Sequence, residues 1–387
     1  MEICILSGAP PSIHDAVGDY SWRLAQELSS QFSVAFVAPW AGELVACADV
    51  SSIQTYQVKE GWGFEVSREV YQIVRRLNPA VVLVHYVPQL HGWNGAKPFF
   101  SMLLLALSWK GYRIVTVAHE ISAPFGPSPK LMLWATIHQL VFRPILAASR
   151  RIILTTTTRR DLLQRWFPRR SGDFHQIPIS STIPVISVDA ANPRKLREQL
   201  RISPEELVIS TFGSVIGPAT TRLERLFTWC IAEGKPVRFV VMGKAGEALR
   251  RRLAHCPEIC ERMIVTGPLG HDTVSGYLSI SDVYVVFFPD GASTRRTSLM
   301  VGLAHGVPTI SNAGILTDSL LKSSGAIYFV DSLTEEGEIR GLRRLSMDPE
   351  LRNHLGKRGQ AFYEEHFSWE KTRASYVRVL QEALARE

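Results

Sequence analysis

Short apolar runs alternate with amphipathic stretches along most of the chain. "EICILSG" (2–8) is an unbroken apolar run of the kind that forms a buried strand. In "DYSWRLAQELSSQF" (19–32), Trp22, Leu24, Ala25 and Leu28 fall at helical spacing. The alternation continues with a strand at 33–39, a helix at 65–78, a strand "AVVLVHYVP" (80–88), a helix at 98–111 and a strand "RIVTVAHE" (113–120). A helix at 130–149, with a break expected at Pro144, leads to a strand at 151–156. Val- and Ile-rich strands separated by helices predict a parallel sheet covered on both faces.

Between 168 and 204 the pattern loosens, and Pro, Ser and Asp become dense, as in a linker. The alternation then restarts. Strands are predicted at 207–214, 237–243, 263–269, 282–289 and 307–312, and helices at 220–234, 247–256, 272–281 and 294–306. Two more helices, 349–367 and 368–387, close the chain. This periodicity predicts an α/β protein of two doubly wound, Rossmann-like domains, 1–185 and 200–367, followed by the helix 368–387. Two such sheets facing each other make a cleft, and ligands of open parallel sheets bind beyond the carboxyl ends of the strands. The loops after each strand are therefore where chemistry is expected.

Composition adds little to this and excludes some classes. The 387 residues are 46% hydrophobic and 20% charged, enough apolar material for two cores. The net charge of +7 favours anionic partners, although a scatter of surface charge gives the same total. Five cysteines (Cys4, Cys47, Cys230, Cys256, Cys260) form no zinc-like pairing, so no metal is expected, and the odd count fits a reducing compartment. The N-terminal "MEICILSGAPPS" has no basic region ahead of its apolar run, unlike a signal peptide. The longest nearly apolar run, 99–109, is shorter than the ~20 residues a bilayer span needs. A cytoplasmic location is expected.

The post-strand loops carry a recurring chemistry. After the first strand come Gly8 and Gly18, the latter placed to let a helix start approach a phosphate or sugar. After the strand ending near 118 comes His119, suited to donating a hydrogen bond to a sugar hydroxyl or to proton transfer. His85 and His91 in "VHYVPQLHG" are expected to line the same pocket. In the second half, Gly213 and Ser214 precede a helix with Arg222 in its first turn, and Gly243 precedes Lys244. The stretch "PDGASTRRTSLMVGLAHGVPTISN" (289–312) adds Ser293, Thr294, Arg295, Arg296, Thr297 and Ser298 at the start of a helix. Helix starts favour anions, so two arginines there predict a phosphate-bearing ligand; the alternative is that both are solvated and pair with Asp290. Residues 150–170 hold seven arginines and one aspartate, and together with the preceding apolar helix they suggest peripheral contact with an anionic membrane. Nucleic acid is not expected as a partner, because aromatics are not interleaved with the cations.

Several stretches, in this order and spacing, resemble the group 1 (family 4) glycosyltransferases of the GT-B fold over nearly the whole chain. They are "VGDYSWRLAQELS", "VHYVPQLHG", "TVAHE", "TFGS", "VTGPLGHDTVSGYLSISDVYVVFFP", "LMVGLAHGVPTISN" and "HFSWEKTRASYVRVLQEAL". The resemblance implies a hexosyltransferase that uses a nucleoside-diphosphate sugar, retains configuration and needs no metal or other cofactor. It implies a donor held mainly by the C-terminal domain, a saccharide or lipid-linked acceptor on the N-terminal domain, and a last helix that packs back on the N-terminal domain. Gly18 then matches the family's glycine-rich loop. His119 matches the histidine that contacts the donor sugar, and Gly267, Pro268 and Leu269 match the loop beside the nucleobase. His85 and His91 are read as acceptor-side residues. Synthesis of cell-surface polysaccharide or glycoconjugate, at the inner face of the cell membrane, is the implied setting.

Two departures stand out. The family's paired glutamates, eight apart, are replaced by Ser293 and Val301. Its Arg and Lys after "TFGS" are missing, with only Arg222 nearby. The expectation drawn from this is compensation, Arg295 and Arg296 neutralising the diphosphate instead. A catalytically silent relative that binds a saccharide or a partner protein is the alternative. A hydrolase related to the GT-B epimerases is disfavoured for want of carboxylates.

Overall fold

The computed structural model describes residues 2–10, 15–39, 52–91, 96, 98–122, 128–187, 192–213, 217–330 and 336–385. It divides into two compact units, Met1–Pro178 with Thr372–Glu387, and Ile179–Lys371. Cys47 and Ser214 lie outside the described residues.

The first unit holds a seven-stranded sheet. Its strands are β1 (Glu2–Ser7), β2 (Ser33–Pro39), β3 (Ile53–Val58), β4 (Val81–Tyr86), β5 (Ile114–Ala118), β6 (Arg151–Leu154) and β7 (Phe174–Gln176). All pair parallel in the order β3-β2-β1-β4-β5-β6-β7. β1 lies inside the sheet, with Ile3 registered against Val34 on one side and Val81 on the other. Helices α1 (Ala16–Ser29), α2 (Phe64–Leu77), α3 (Phe99–Trp109), α4 (Pro129–Ala148) and α5 (Thr157–Trp166) follow the alternation. Every residue of β4 and β5 is buried, because helices cover both faces of a parallel sheet.

Local signals set the helix ends. α1 begins at Ala16, earlier than the apolar spacing suggests, because Asp15 caps it: Oδ1 accepts from the backbone N–H of Val17 at 2.9 Å and of Gly18 at 2.8 Å. The break expected at Pro144 does not occur, and α4 is continuous from Pro129 to Ala148. The proline forfeits one helical hydrogen bond, while Phe142, Ile145 and Leu146 around it are held in the core. α5 is capped by Thr156, whose hydroxyl accepts from Arg159 N at 3.4 Å.

The second unit repeats the plan with six strands. They are β8 (Leu207–Phe212), β9 (Val237–Met242), β10 (Met263–Gly267), β11 (Val283–Val285), β12 (Thr309–Asn312) and β13 (Tyr328–Val330), in the order β10-β9-β8-β11-β12-β13. The helices are α6 (Pro193–Gln199), α7 (Pro218–Ala232), α8 (Gly246–Arg252), α9 (Pro257–Arg262), α10 (His271–Ser279), α11 (Thr297–Ala304), α12 (Ser319–Ser323), α13 (Gly337–Met347) and α14 (Pro349–His366). One core lies on each face of this sheet.

The last helix, α15 (Trp369–Leu384), starts in the second unit and from Thr372 belongs to the first. Trp369 Nε1 donates to Ser181 O at 2.6 Å within the second unit. Within the first, Tyr376, Val379, Leu380 and Ala383 are buried, and the Tyr376 hydroxyl lies 3.4 Å from that of Tyr20. The stretch read as a linker contains β7 and α6, and the chain passes between units at Pro178.

Candidate functional site

In the second unit the carboxyl ends of four neighbouring strands share one device. β8, β9 and β10 are each followed or ended by a glycine at positive φ: Gly213 at +100°, Gly243 at +103° and Gly267 at +66°. Gly213 N donates to Met242 O at 3.1 Å, and Gly243 N to Gly267 O at 2.9 Å, so the three stand side by side. Gly291, after β11, has φ +89°. At these strand ends the glycine positions present peptide groups with no side chain over them. Groups of this kind can approach a phosphate or ribose closely.

Next to these strand ends stands the start of α11. A Cβ built on Gly213 would lie 3.5 Å from Ser298 Cβ, which places the exit of β8 against the first turn of that helix. Arg296 occupies the cap position without a side-chain capping bond, and Thr297 and Ser298 begin the helix, both half-buried. The Tyr284 hydroxyl donates to Ser298 O at 2.7 Å and holds that turn against the sheet.

Arg295 and Arg296 do not wait uncompensated at the helix start. Asp290 answers both: Arg295 Nη2 meets Oδ2 at 2.5 Å, and Arg296 Nη2 pairs with Oδ1. Burial would raise the Asp290 carboxyl, but the two guanidinium charges and their hydrogen bonds hold it below the usual carboxylate range. The Arg296 guanidinium also lies over the Phe288 ring, 4.8 Å from its centroid. Two cations share one anion in a half-buried cluster. The first counter-charge thus comes from the chain itself, five and six residues upstream.

The neighbouring hydroxyls divide. Thr294 is a structural residue: its N and Oγ1 both donate to Asp318 Oδ2, at 3.1 and 2.8 Å, and its carbonyl accepts from Ile179 N. Ser293 is 0% exposed, and its Oγ has no hydrogen-bond partner. Val301 is buried inside α11. The two positions where the resembled family carries carboxylates are therefore interior and uncharged.

Other residues singled out from the sequence fall elsewhere. Arg222, expected near the diphosphate, lies with its Nη1 2.7 Å from Oε1 of the buried Glu338, whose Oε2 takes Arg225 at 3.1 Å. The guanidinium of Arg222 holds α7 to α13. Lys244 is exposed in the turn after β9. Pro268 is exposed beyond β10, while Leu269 packs against the core under α10 and α11.

In the first unit, Gly18, expected to let a phosphate or sugar approach, is closely packed. Its N–H is taken by Asp15, and a Cβ there would lie 1.9 Å from Pro10 O. Gly18 makes room for the loop after β1 to fold back onto α1.

His119 follows β5 and is clamped at its backbone, its N donating to Tyr86 O at 3.1 Å and its O accepting from Arg159 Nη1. Its Nε2 lies 3.0 Å from His85 Nδ1, the two rings stack at 5.3 Å, and Tyr20 meets both edge-on. His85 is fully buried. Desolvation first, and the neighbouring His119 second, hold it far below the usual histidine range, so it is neutral. Its Nε2 has no partner. Orphaned buried N–H groups are rarer than orphaned acceptors, which puts the His85 proton on Nδ1, donated to His119. His119 Nε2 then accepts that bond.

His85 and His91, expected on the acceptor side, both have interior rings. His91 sits among Trp62, Tyr86 and Phe100, with ring centroids at 5.3, 5.3 and 4.0 Å, and its Nδ1 is 2.9 Å from Val87 O. Among the described residues, no group of three or more His, Cys, Asp or Glu side chains is arranged to hold a metal ion.

No protein-family model matches the sequence, and no curated protein matches it. Solved structures match over essentially the full length. A sucrose-phosphate synthase from Thermosynechococcus elongatus superposes with a TM-score of 0.74 at 15% identity, covering 99% of this chain and 98% of that one. A glycosyltransferase from Rickettsia africae gives 0.71 at 11% identity, covering 100% of both chains. A UDP-forming α,α-trehalose-phosphate synthase from Burkholderia vietnamiensis gives 0.70 at 13% identity, covering 99% of this chain and 97% of that one. The chain has the GT-B fold, as the sequence resemblance implied.

Proposed function

We propose that the protein is a glycosyltransferase that moves a sugar from a nucleoside-diphosphate donor to a saccharide or lipid-linked acceptor. The observation that carries this reading is the set of glycine-lined strand ends beside the Asp290–Arg295–Arg296 cluster. The fold shared with a UDP-forming sugar transferase supports it. In the transfer, the bond between the anomeric carbon and the diphosphate oxygen breaks, and a bond to the acceptor hydroxyl oxygen forms. The hydroxyl proton goes to the departing diphosphate. The negative charge that grows on that group is what the cationic cluster and the first turn of α11 would stabilise. His119 would hydrogen-bond a sugar hydroxyl.

Retention of configuration, independence from metal, a role in cell-surface polysaccharide or glycoconjugate synthesis, and a cytoplasmic site at the inner face of the cell membrane complete the proposal. Their supports are the sequence resemblance and, for metal independence, the cationic cluster. A second reading, a catalytically silent relative that binds a saccharide or a partner protein, is favoured by Ser293 and Val301, which leave no carboxylate at either family position. A panel of UDP-, GDP- and ADP-sugars, assayed with EDTA for released diphosphate with and without acceptor, separates the two. We expect one donor to release its diphosphate, faster with acceptor. Binding of a donor without release would favour the silent relative, and an absence of both would overturn the proposal.

A further inference from the structure

The apolar helix α4 is long and apolar enough to cross a membrane by length and composition, yet one face of it is built into the first unit. Ala135, His138, Phe142, Ile145 and Leu146 point inward and are buried. The opposite stripe, Met132 and Leu133, Thr136, Leu140, Arg143 and Ala147, recurs every three to four residues and is exposed. Leu133 is 60% exposed and Leu140 56%. α3 packs beside α4, with Ser101 Oγ donating to Val141 O at 2.9 Å. It too turns an apolar stripe outward, with Met102 58% and Trp109 83% exposed. Neither helix contains an acid. Exposed Lys110, Lys130 and Arg143 flank or interrupt the two stripes.

The positive charge of the chain is concentrated in the segment that carries these two helices. Residues 98–170 hold eleven Lys and Arg against two acids, while the remaining 314 residues hold 32 against 34. The arginines of 150–170, read from sequence as the contact surface, are partly internal. Arg170 donates to Leu146 O and Ser149 O at the end of α4 and pairs with Asp173, and Arg151 pairs with Asp173. The free apolar surface lies on α3 and α4 instead.

We propose that the outward stripes of α3 and α4 dock on an anionic lipid bilayer. The two helices lie in the interface with Met102, Trp109, Leu133 and Leu140 dipping into the headgroup boundary, and the basic residues meet lipid phosphates. An apolar stripe without acids, an exposed tryptophan at one end and a local cationic excess are what an interfacial helix requires. A second copy of the chain would bury the same apolar stripes but would bring the same cationic excess against itself. Charge complementarity therefore selects the anionic bilayer. This holds whether or not the protein transfers sugar.

Co-sedimentation of the full-length protein tests it, using vesicles of phosphatidylcholine alone or with about 30 mol% phosphatidylglycerol, at low and at ~0.5 M salt. The expected result is at least ~10-fold stronger partitioning onto the anionic vesicles, falling at high salt. Leu133→Asp with Leu140→Asp is expected to remove ~10-fold or more of that partitioning, and Lys130→Gln with Arg143→Gln to remove the preference for anionic lipid. The single change Met102→Ser, read alongside an unchanged melting curve, gives a weaker loss if the double aspartate variant fails to fold. Equal partitioning of the wild type and the aspartate variant would overturn the proposal. So would a stable dimer by light scattering that Leu133→Asp dissolves, with no vesicle binding.

Discussion

At pH 5 the first unit is expected to unfold at a markedly lower urea concentration than at pH 7.5, and His91 accounts for much of the difference. Burial among Trp62, Tyr86 and Phe100 pushes His91 down to about 4, against a modest upward pull from its bond to Val87 O. The ordinary value of 6.5 applies once the chain unfolds. Between those two values the unfolded chain binds the proton and the folded chain does not. Stability is therefore complete above pH 6.5 and falls as the pH drops toward 4. His91 alone costs about 2 kcal/mol at pH 5 and about 3 kcal/mol by pH 4. His85 acts in the same direction, since burial and His119 also hold it low. Urea titrations of the wild type and His91→Leu at both pH values check this. His91→Leu should lose about 2 kcal/mol of the pH difference. An undiminished difference would mean that His91 is protonated in the native state.

The second large effect is expected at Gly291. Its φ of +89° already disfavours any side chain, and a Cβ there would lie 2.2 Å from Gly314 N and 2.5 Å from Thr317 Oγ1. The obstruction is mostly backbone, so it cannot be relieved by a rotamer change. Gly291→Ala should destabilise the second unit by about 3 kcal/mol or more. Gly325→Ala isolates the dihedral contribution, because Gly325 has φ +64° and nothing within 4 Å of its Cβ position. That variant should cost only about 1–2 kcal/mol. Thermal melts of the two variants decide the point, and equal shifts would show that the contact with Gly314 yields.

The parts of the fold legible in the sequence are those where one physical cause acts alone. β1, β4, β5, β8 and β9 are buried parallel strands, and a run of apolar residues is what such burial selects. The edge strand β3, "IQTYQV", is half polar because only part of it is covered, and the three-residue β7 and β13 are too short to show a period. α5, "TTRRDLLQRW", is hidden by its arginines, and only the Thr156 cap marks its start.

The candidate site shows the same division. Arg295, Arg296 and Asp290 lie within seven residues, and their pairing was readable as a local alternative to an external anion. Glu338 is 116 residues from Arg222, and nothing local connects them. His85 and His119 end adjacent parallel strands, so their contact follows from the strand order, which the sequence alone did not supply. The N-cap role of Asp15 was legible in principle, since an aspartate ahead of an amphipathic run is a helix-start signal.

A nucleoside diphosphate is expected to meet the second unit at the Asp290–Arg295–Arg296 cluster. Calorimetric titration of the wild type, Arg295→Ala with Arg296→Ala, and Arg222→Ala with UDP, GDP and ADP tests this most directly. The predicted result is binding of at least one diphosphate by the wild type, at least ~30-fold weaker in the double variant. Arg222→Ala, whose guanidinium serves Glu338, should bind within about twofold of the wild type. Equal affinity in the wild type and the folded double variant, or no binding of any of the three diphosphates by the wild type, would contradict it.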